Sequence, residues 1–107
     1  MHDNQLKEVK KAEEVEGLIN RRRRQILVHS CIYYKFFDSL VDDATFDKWA
    51  GELVELQKKY PAVAKNCVYA DAFKNFDGST GFDLPYYRPE IVGVAEQLLR
   101  FVRGMDK

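Results

Sequence analysis

Cysteine occurs only twice, at Cys31 and Cys67, and histidine only at His2 and His29. None of the four stands at a metal-ligand spacing, which argues against a zinc module, and two thiols are too few for a disulfide framework. Both cysteines therefore read as free and buried. Net charge is missing as well: 17 basic and 17 acidic residues cancel, so no global field draws the chain to nucleic acid or to an anionic membrane. No apolar run approaches a membrane span, and none of signal-peptide length stands at the start, so the expected setting is soluble and cytoplasmic. No serine has a recognisable base and orienting partner, which leaves hydrolase chemistry without support. The 107 residues suit one domain with a modest core.

What the chain does have is helical patterning. Residues 4–20 are rich in Glu, Lys, Leu, Val and Ala, and apolar residues recur at Leu6, Val9, Ala12, Val15 and Ile19, which predicts a helix. Gly17 and Asn20 predict a kink or break before the arginines. From Arg21, a stripe through Ile26, Ser30, Tyr33 and Phe37, widened by Leu27, Cys31 and Tyr34, predicts an amphipathic helix with an aromatic end. Asp38-Ser-Leu-Val-Asp42 breaks that period, and Asp42 or Asp43 is placed to cap the next helix. That helix is expected over residues 44–59, with Phe46, Trp49, Ala50, Leu53 and Leu56 or Gln57 on its inner face, and Tyr60-Pro61 ends it.

Residues 62–88 hold the turn-rich run Asn75-Phe-Asp-Gly-Ser-Thr-Gly-Phe-Asp-Leu-Pro85 and read as a long ordered loop with about one helical turn. Residues 89–104 read as a C-terminal helix that starts at Pro89, buries Ile91, Ala95, Leu98 and Val102, and stops at Gly104. The expected fold class is all-α: a helical hairpin over residues 21–61 with an additional N-terminal helical segment, the aromatic loop packed across it, and the final helix.

One constellation in the hairpin carries chemistry. Tyr33 and Tyr34 end its first helix, and Asp43 and Asp47, four apart, share one face at the start of its second. Aromatic faces favour a cationic ring, and carboxylates accept from hydroxyls or an amide. Asp at a helix start also caps, and aromatics at helical spacing also pack, so the periodicity alone favours a structural role. Residues 33–61 resemble the helix-turn-helix that opens NAD-dependent DNA ligases, matching its two aromatics and two Asp in type and spacing. That resemblance implies a site for the nicotinamide mononucleotide (NMN) half of NAD, made by Tyr33, Tyr34, Asp43, Phe46 and Asp47. Phe46 departs from the family's usual Tyr, keeping the ring and losing the hydroxyl.

A ligase also needs a nucleophilic lysine in Lys-x-Asp-Gly, whereas this chain offers Lys74-Asn-Phe-Asp77-Gly78, with the lysine one residue early. The chain has no room for the nucleotidyltransferase fold beside the helices, so the expectation is a non-catalytic protein with no catalytic or metal-ligating residues. Asp77-Gly-Ser-Thr-Gly81 reads as a tight turn. His29 reads as a partly buried structural imidazole bordering the site.

Two surface features remain. Arg21, Arg22, Arg23 and Arg24 point around most of a helix, so they read as a collar salt-bridged to Glu13, Glu14 and Glu16, with phosphate, nucleic-acid or acidic-partner contact as the alternative. Phe82, Tyr86 and Tyr87 read as a lid on the hairpin or as a partner-binding patch. Taken with the 75–85 stretch, the chain resembles small ligase-related proteins of phages and prophages. Three functions are expected as alternatives: nicotinamide nucleotide (NMN or NAD) recognition, which the ligase resemblance implies; binding of a host protein, such as a ligase or a defence component, in host takeover or counter-defence; or, more weakly, nucleic-acid contact through the arginine run.

Overall fold

The computed structural model describes residues 2–104, with side chains from residue 7 onward. Four helices are present, α1 (His2–Tyr34), α2 (Asp43–Lys59), α3 (Pro61–Lys65) and α4 (Pro89–Arg103), and no strand occurs among the described residues. The fold is all-α.

The helix α1 is one uninterrupted rod of 33 residues, so the break expected at Gly17 and Asn20 does not occur. A helical glycine costs only about 1 kcal/mol, and Val15 and Ile19, on either side of Gly17, are both buried. Asn20 ties down the downstream loop instead of ending the helix, its side-chain oxygen accepting from the Val68 backbone N–H at 3.0 Å. The expected apolar stripe in the first half of α1 is only partly buried. Val9 is 55% exposed and Ala12 is exposed, while the side chains of His2 and Leu6 lie outside the described residues.

At its other end α1 stops at Tyr34 rather than continuing through Phe37. The N–H groups of Lys35 and Phe36 both donate to the Cys31 carbonyl, and Phe37 takes a left-handed φ of 54°. That turn throws the Phe37 ring into solvent, where it is 89% exposed. Asp42 caps α2, its carboxylate accepting from Thr45 N at 2.7 Å. The inner face of α2 is centred on Ala50 and Leu53, with Phe46, Trp49 and Leu56 half-buried beside them.

Helices α2, α3 and α4 all pack on α1, which is the spine of the molecule. Phe73 from the loop is fully buried and is the largest of the fully buried side chains. The Arg23 guanidinium of α1 lies over its ring at 5.6 Å, and the Phe73 carbonyl accepts from Gln57 Nε2 of α2 at 3.3 Å. Of the loop aromatics expected to form a lid, Tyr86 packs on the core, but Phe82 and Tyr87 are 59% and 70% exposed. Leu84 does the covering alongside Phe73. In α4 the buried residues are Ile91, Ala95 and Leu99, and Val102 faces solvent. Gly104 ends α4 at φ 66°, its N–H closing on the Arg100 carbonyl, the left-handed cap for which glycine is suited.

The arginine run separates residue by residue. Arg23 is 2% exposed. It donates to the Gln57 side-chain oxygen from Nε and Nη2 at 3.0 and 2.8 Å and to the Val68 carbonyl from Nη1 at 2.9 Å, and it lies over the Phe73 ring at 5.6 Å. Burial holds its pKa below the ordinary arginine value. Arg22 pairs across the hairpin with Glu52 at 2.8 Å, not with the glutamates expected on its own helix. Arg21 and Arg24 alone are exposed.

Candidate functional site

Tyr33 and Tyr34 are the last two residues of α1, and Asp43 is the first of α2. The eight residues between are a compact turn whose polar groups are spoken for locally. Ser39 N donates to the Asp38 carboxylate and Ser39 Oγ to the Val41 carbonyl, each at 2.7 Å. Arg103, at the end of α4, clasps Asp38 through Nε and Nη2 at 3.2 and 2.8 Å. That pairing pulls the Asp38 carboxyl below its usual pKa. The turn is thereby tied to the end of α4.

Between the end of α1 and the first turn of α2 lies a cleft of about 210 Å³. All five residues that the ligase resemblance implies, Tyr33, Tyr34, Asp43, Phe46 and Asp47, line it. Its remaining walls are His29, Ser30, the turn at Ser39, Leu40 and Val41, and the loop Ser79, Thr80 and Gly81. One aromatic is held and the other is free. Tyr34 stacks on Tyr86 with ring centroids 5.5 Å apart, meets Phe82 edge-on at 5.2 Å and shares a hydrogen bond with the Thr80 hydroxyl at 2.8 Å. Tyr33 leans edge-on against Tyr34 at 4.9 Å and is 58% exposed, so its ring is the more available. Asp43 and Asp47 are both exposed.

The 77–81 loop is a constructed wall rather than a slack connection. The Asp77 carboxylate accepts from Ser79 N and Ser79 Oγ at 2.9 and 2.6 Å, which lowers its pKa, and Gly78 takes φ 87°, the glycine-favouring region. Gly81 then passes so close to α1 that a Cβ on it would overlap Ser30 Oγ. The close approach explains that glycine, and no local spacing in the sequence announces it.

Beside the cleft lie two buried polar atoms, one on His29, which the sequence placed at the border of the site, and one on Ser30, which it did not assign to it. Ser30 is 1% exposed, and both its Oγ and His29 Nδ1 are buried without a hydrogen-bond partner in the protein. The His29 ring packs against Trp49 at 5.3 Å, and burial lowers its pKa, favouring the neutral imidazole. Ser30 was visible only as a member of the buried stripe, and nothing in that pattern separates a packed hydroxyl from an unpartnered one. Of the other candidates, Arg21 and Arg24 border a separate groove against α4, Arg23 is inside the protein, and Tyr86 and Tyr87 stand behind Tyr34 rather than in the cleft. No group of three or more metal-ligating side chains occurs among the described residues. Both cysteines are free and buried. No helix among the described residues is long and apolar enough to cross a membrane.

Over 49 residues, 46% of its length, the chain is 37% identical to a DNA ligase of Pseudothermotoga lettingae. This chain is related to DNA ligase. The alignment takes in only 7% of that ligase. No protein-family model matches the chain, and no solved structure matches it.

Proposed function

We propose that this ligase-related chain is a non-catalytic binding protein that takes a nicotinamide nucleotide, NMN or NAD, in the cleft between α1 and α2, as the NMN-binding subdomain of an NAD-dependent ligase does. The observation that carries the reading is the convergence of Tyr33, Tyr34, Asp43, Phe46 and Asp47 on one cleft. A cationic pyridinium ring meets tyrosine and phenylalanine faces, and the two carboxylates accept from ribose hydroxyls. No step of adenylate transfer is assigned, because Lys74 stands one residue outside the Lys-x-Asp-Gly spacing. The test is an NMR titration of labelled protein with NMN. Saturable shifts confined to residues 29–47 and 79–81 are expected, and they should be lost in Asp43→Ala and Asp47→Ala proteins that still fold. Silence at millimolar NMN would sink the reading.

A second reading rests on the exposed rings. Phe82 and Tyr87 stand out from the loop beside Tyr34, and aromatics of this kind anchor protein interfaces. In that case the chain keeps the ligase scaffold and binds a host protein through this loop, without nucleotide. Tyr87→Ala would then abolish capture of that partner while Asp47→Ala leaves it unchanged, and the opposite pattern would rule it out.

A further inference from the structure

The groove between α1 and α4 is chemically unlike the cleft and shares only His29 with it. It holds about 620 Å³. Gly17, Arg21, Arg24 and Val28 follow one another at steps of four, three and four, so they lie along one face of α1 and form one wall, with Val94 and Leu98 of α4 as the other. No aspartate or glutamate lines the groove, and neither Arg21 nor Arg24 makes an ion pair among the described residues. The two amides that line it beside the arginines have their acceptors engaged elsewhere. Asn20 Oδ1 accepts from the Val68 N–H at 3.0 Å, and Gln25 Oε1 accepts from Arg22 Nη1 at 2.7 Å. Each amide is left with its N–H groups, so these four residues offer the groove donors and no acceptor. The α4 wall is apolar. Its stripe runs on past Val94 and Leu98 through Phe101 and Val102, and Val94, Phe101 and Val102 each keep at least half of their surface in solvent.

We infer that this groove docks an acidic amphipathic helix of a partner protein, with its carboxylates against Arg21, Arg24 and the two amides and its apolar residues against Val94, Leu98 and Phe101. Carboxylates are acceptors only, which is what a wall of donors requires. From Gly17 to Val28 the α1 wall runs about 16 Å, the length of about three helical turns. A helix of that length presents an apolar stripe and flanking acids at the i, i+3 and i+4 spacing by which amphipathic helices enter grooves. A phosphodiester backbone would accept from the same donors but leave the apolar stripe uncovered. The cancelled charge of the chain, 17 basic against 17 acidic residues, also gives nucleic acid no long-range attraction. The groove needs neither the nucleotide in the cleft nor the exposed rings of Phe82 and Tyr87, so it stands independently of both readings above.

The experiment is an NMR titration of the labelled full chain with three synthetic helical peptides of about fourteen residues. The first carries a leucine stripe at i, i+3 and i+4 spacing flanked by glutamates, the second has lysine for each glutamate, and the third has serine for each leucine. Saturable shifts of amides in 17–28 and 94–102 are expected with the first peptide alone. The Arg21→Glu/Arg24→Glu protein should bind it about tenfold or more weakly, because both charge contacts turn repulsive, and should take up the lysine peptide instead. Both arginines are exposed, so that variant is expected to fold, and a purely structural role for them would not reverse the peptide preference. Val94→Ser should weaken the first peptide as well. No shifts at millimolar acidic peptide, equal binding by the serine peptide, or unchanged binding in the double variant would each overturn the inference. A single-stranded oligonucleotide of equal charge that shifts the same amides at lower concentration would overturn it in favour of phosphate. Sedimentation of a dimer with amides 17–28 protected in the absence of peptide would overturn it in favour of a second copy.

Discussion

Arg21, Arg22, Arg23 and Arg24 are chemically identical neighbours with three different fates: two in solvent, one paired across the hairpin with Glu52, and one inside the protein. Helix geometry decides among them. Arg23 falls on the buried stripe between Ile19 and Ile26, at steps of four and three, and its guanidinium survives there because Gln57 and the Val68 carbonyl accept from it. Replacing Arg23 by Met leaves those acceptors unpaired and is expected to cost about 3 kcal/mol, read as a fall in the urea midpoint at unchanged slope. Arg21→Met and Arg24→Met should lie within about 0.5 kcal/mol of the parent. An Arg23→Met protein as stable as these two would show that the buried contacts carry no weight. The sequence held the information on Arg23's register, but composition obscured it, since a run of four like charges reads as a solvated collar. The orphan atoms of Ser30 and His29 were not legible at all. The burial of the Ser30 hydroxyl depends on Gly81, some fifty residues away in the chain.

At the scale of elements, local signals performed well where a single residue sets a backbone conformation. Pro89 and Gly104 bracket α4, and Asp42 begins α2, because each acts within one turn. They failed where tertiary burial outweighs propensity, as at Gly17, and where a left-handed residue other than glycine ends a helix, as at Phe37. The five cleft residues came from the match to a family motif, since periodicity by itself would have packed Tyr33 inside. The Asp42 cap also makes a pH prediction. Hydrogen bonds from the Thr45 side chain and then from its backbone N–H lower the Asp42 pKa below its ordinary carboxylate value. A depressed folded-state pKa gives stability that is present in full above the unfolded-state value and is lost as pH falls through the folded one. Asp42→Asn keeps a capping oxygen but has no proton to bind. The difference between the thermal midpoints of the parent and Asp42→Asn should therefore be constant near neutrality and shift against the parent as pH falls through the acid range. A constant gap between the two curves at all pH values would disprove the linkage.

As a whole the molecule is lopsided, 58 Å long and 28 by 26 Å across, because α1 alone spans about 50 Å at its 33 residues while the other elements gather on part of it. The first buried residue along α1 among the described side chains is Val15; residues 7–14 are all exposed. Stability is therefore expected to be unevenly distributed along one continuous helix. Amides before Val15 depend on helix propensity alone, which is marginal for an isolated segment. Amides from Ile19 to Ile32 are held by the packing of α2, α3 and α4. Hydrogen exchange should show protection rising by several orders of magnitude across Val15 to Ile19, with no break at the arginines. Deleting residues 1–12 should leave both the urea midpoint and the slope nearly unchanged, since that segment exposes little new surface on unfolding. It should leave the cleft intact too, because none of its lining residues precedes His29. A large loss of stability on that deletion would mean that the exposed half of α1 is covered in solution, and sedimentation of the full-length chain would then show whether a second copy covers it.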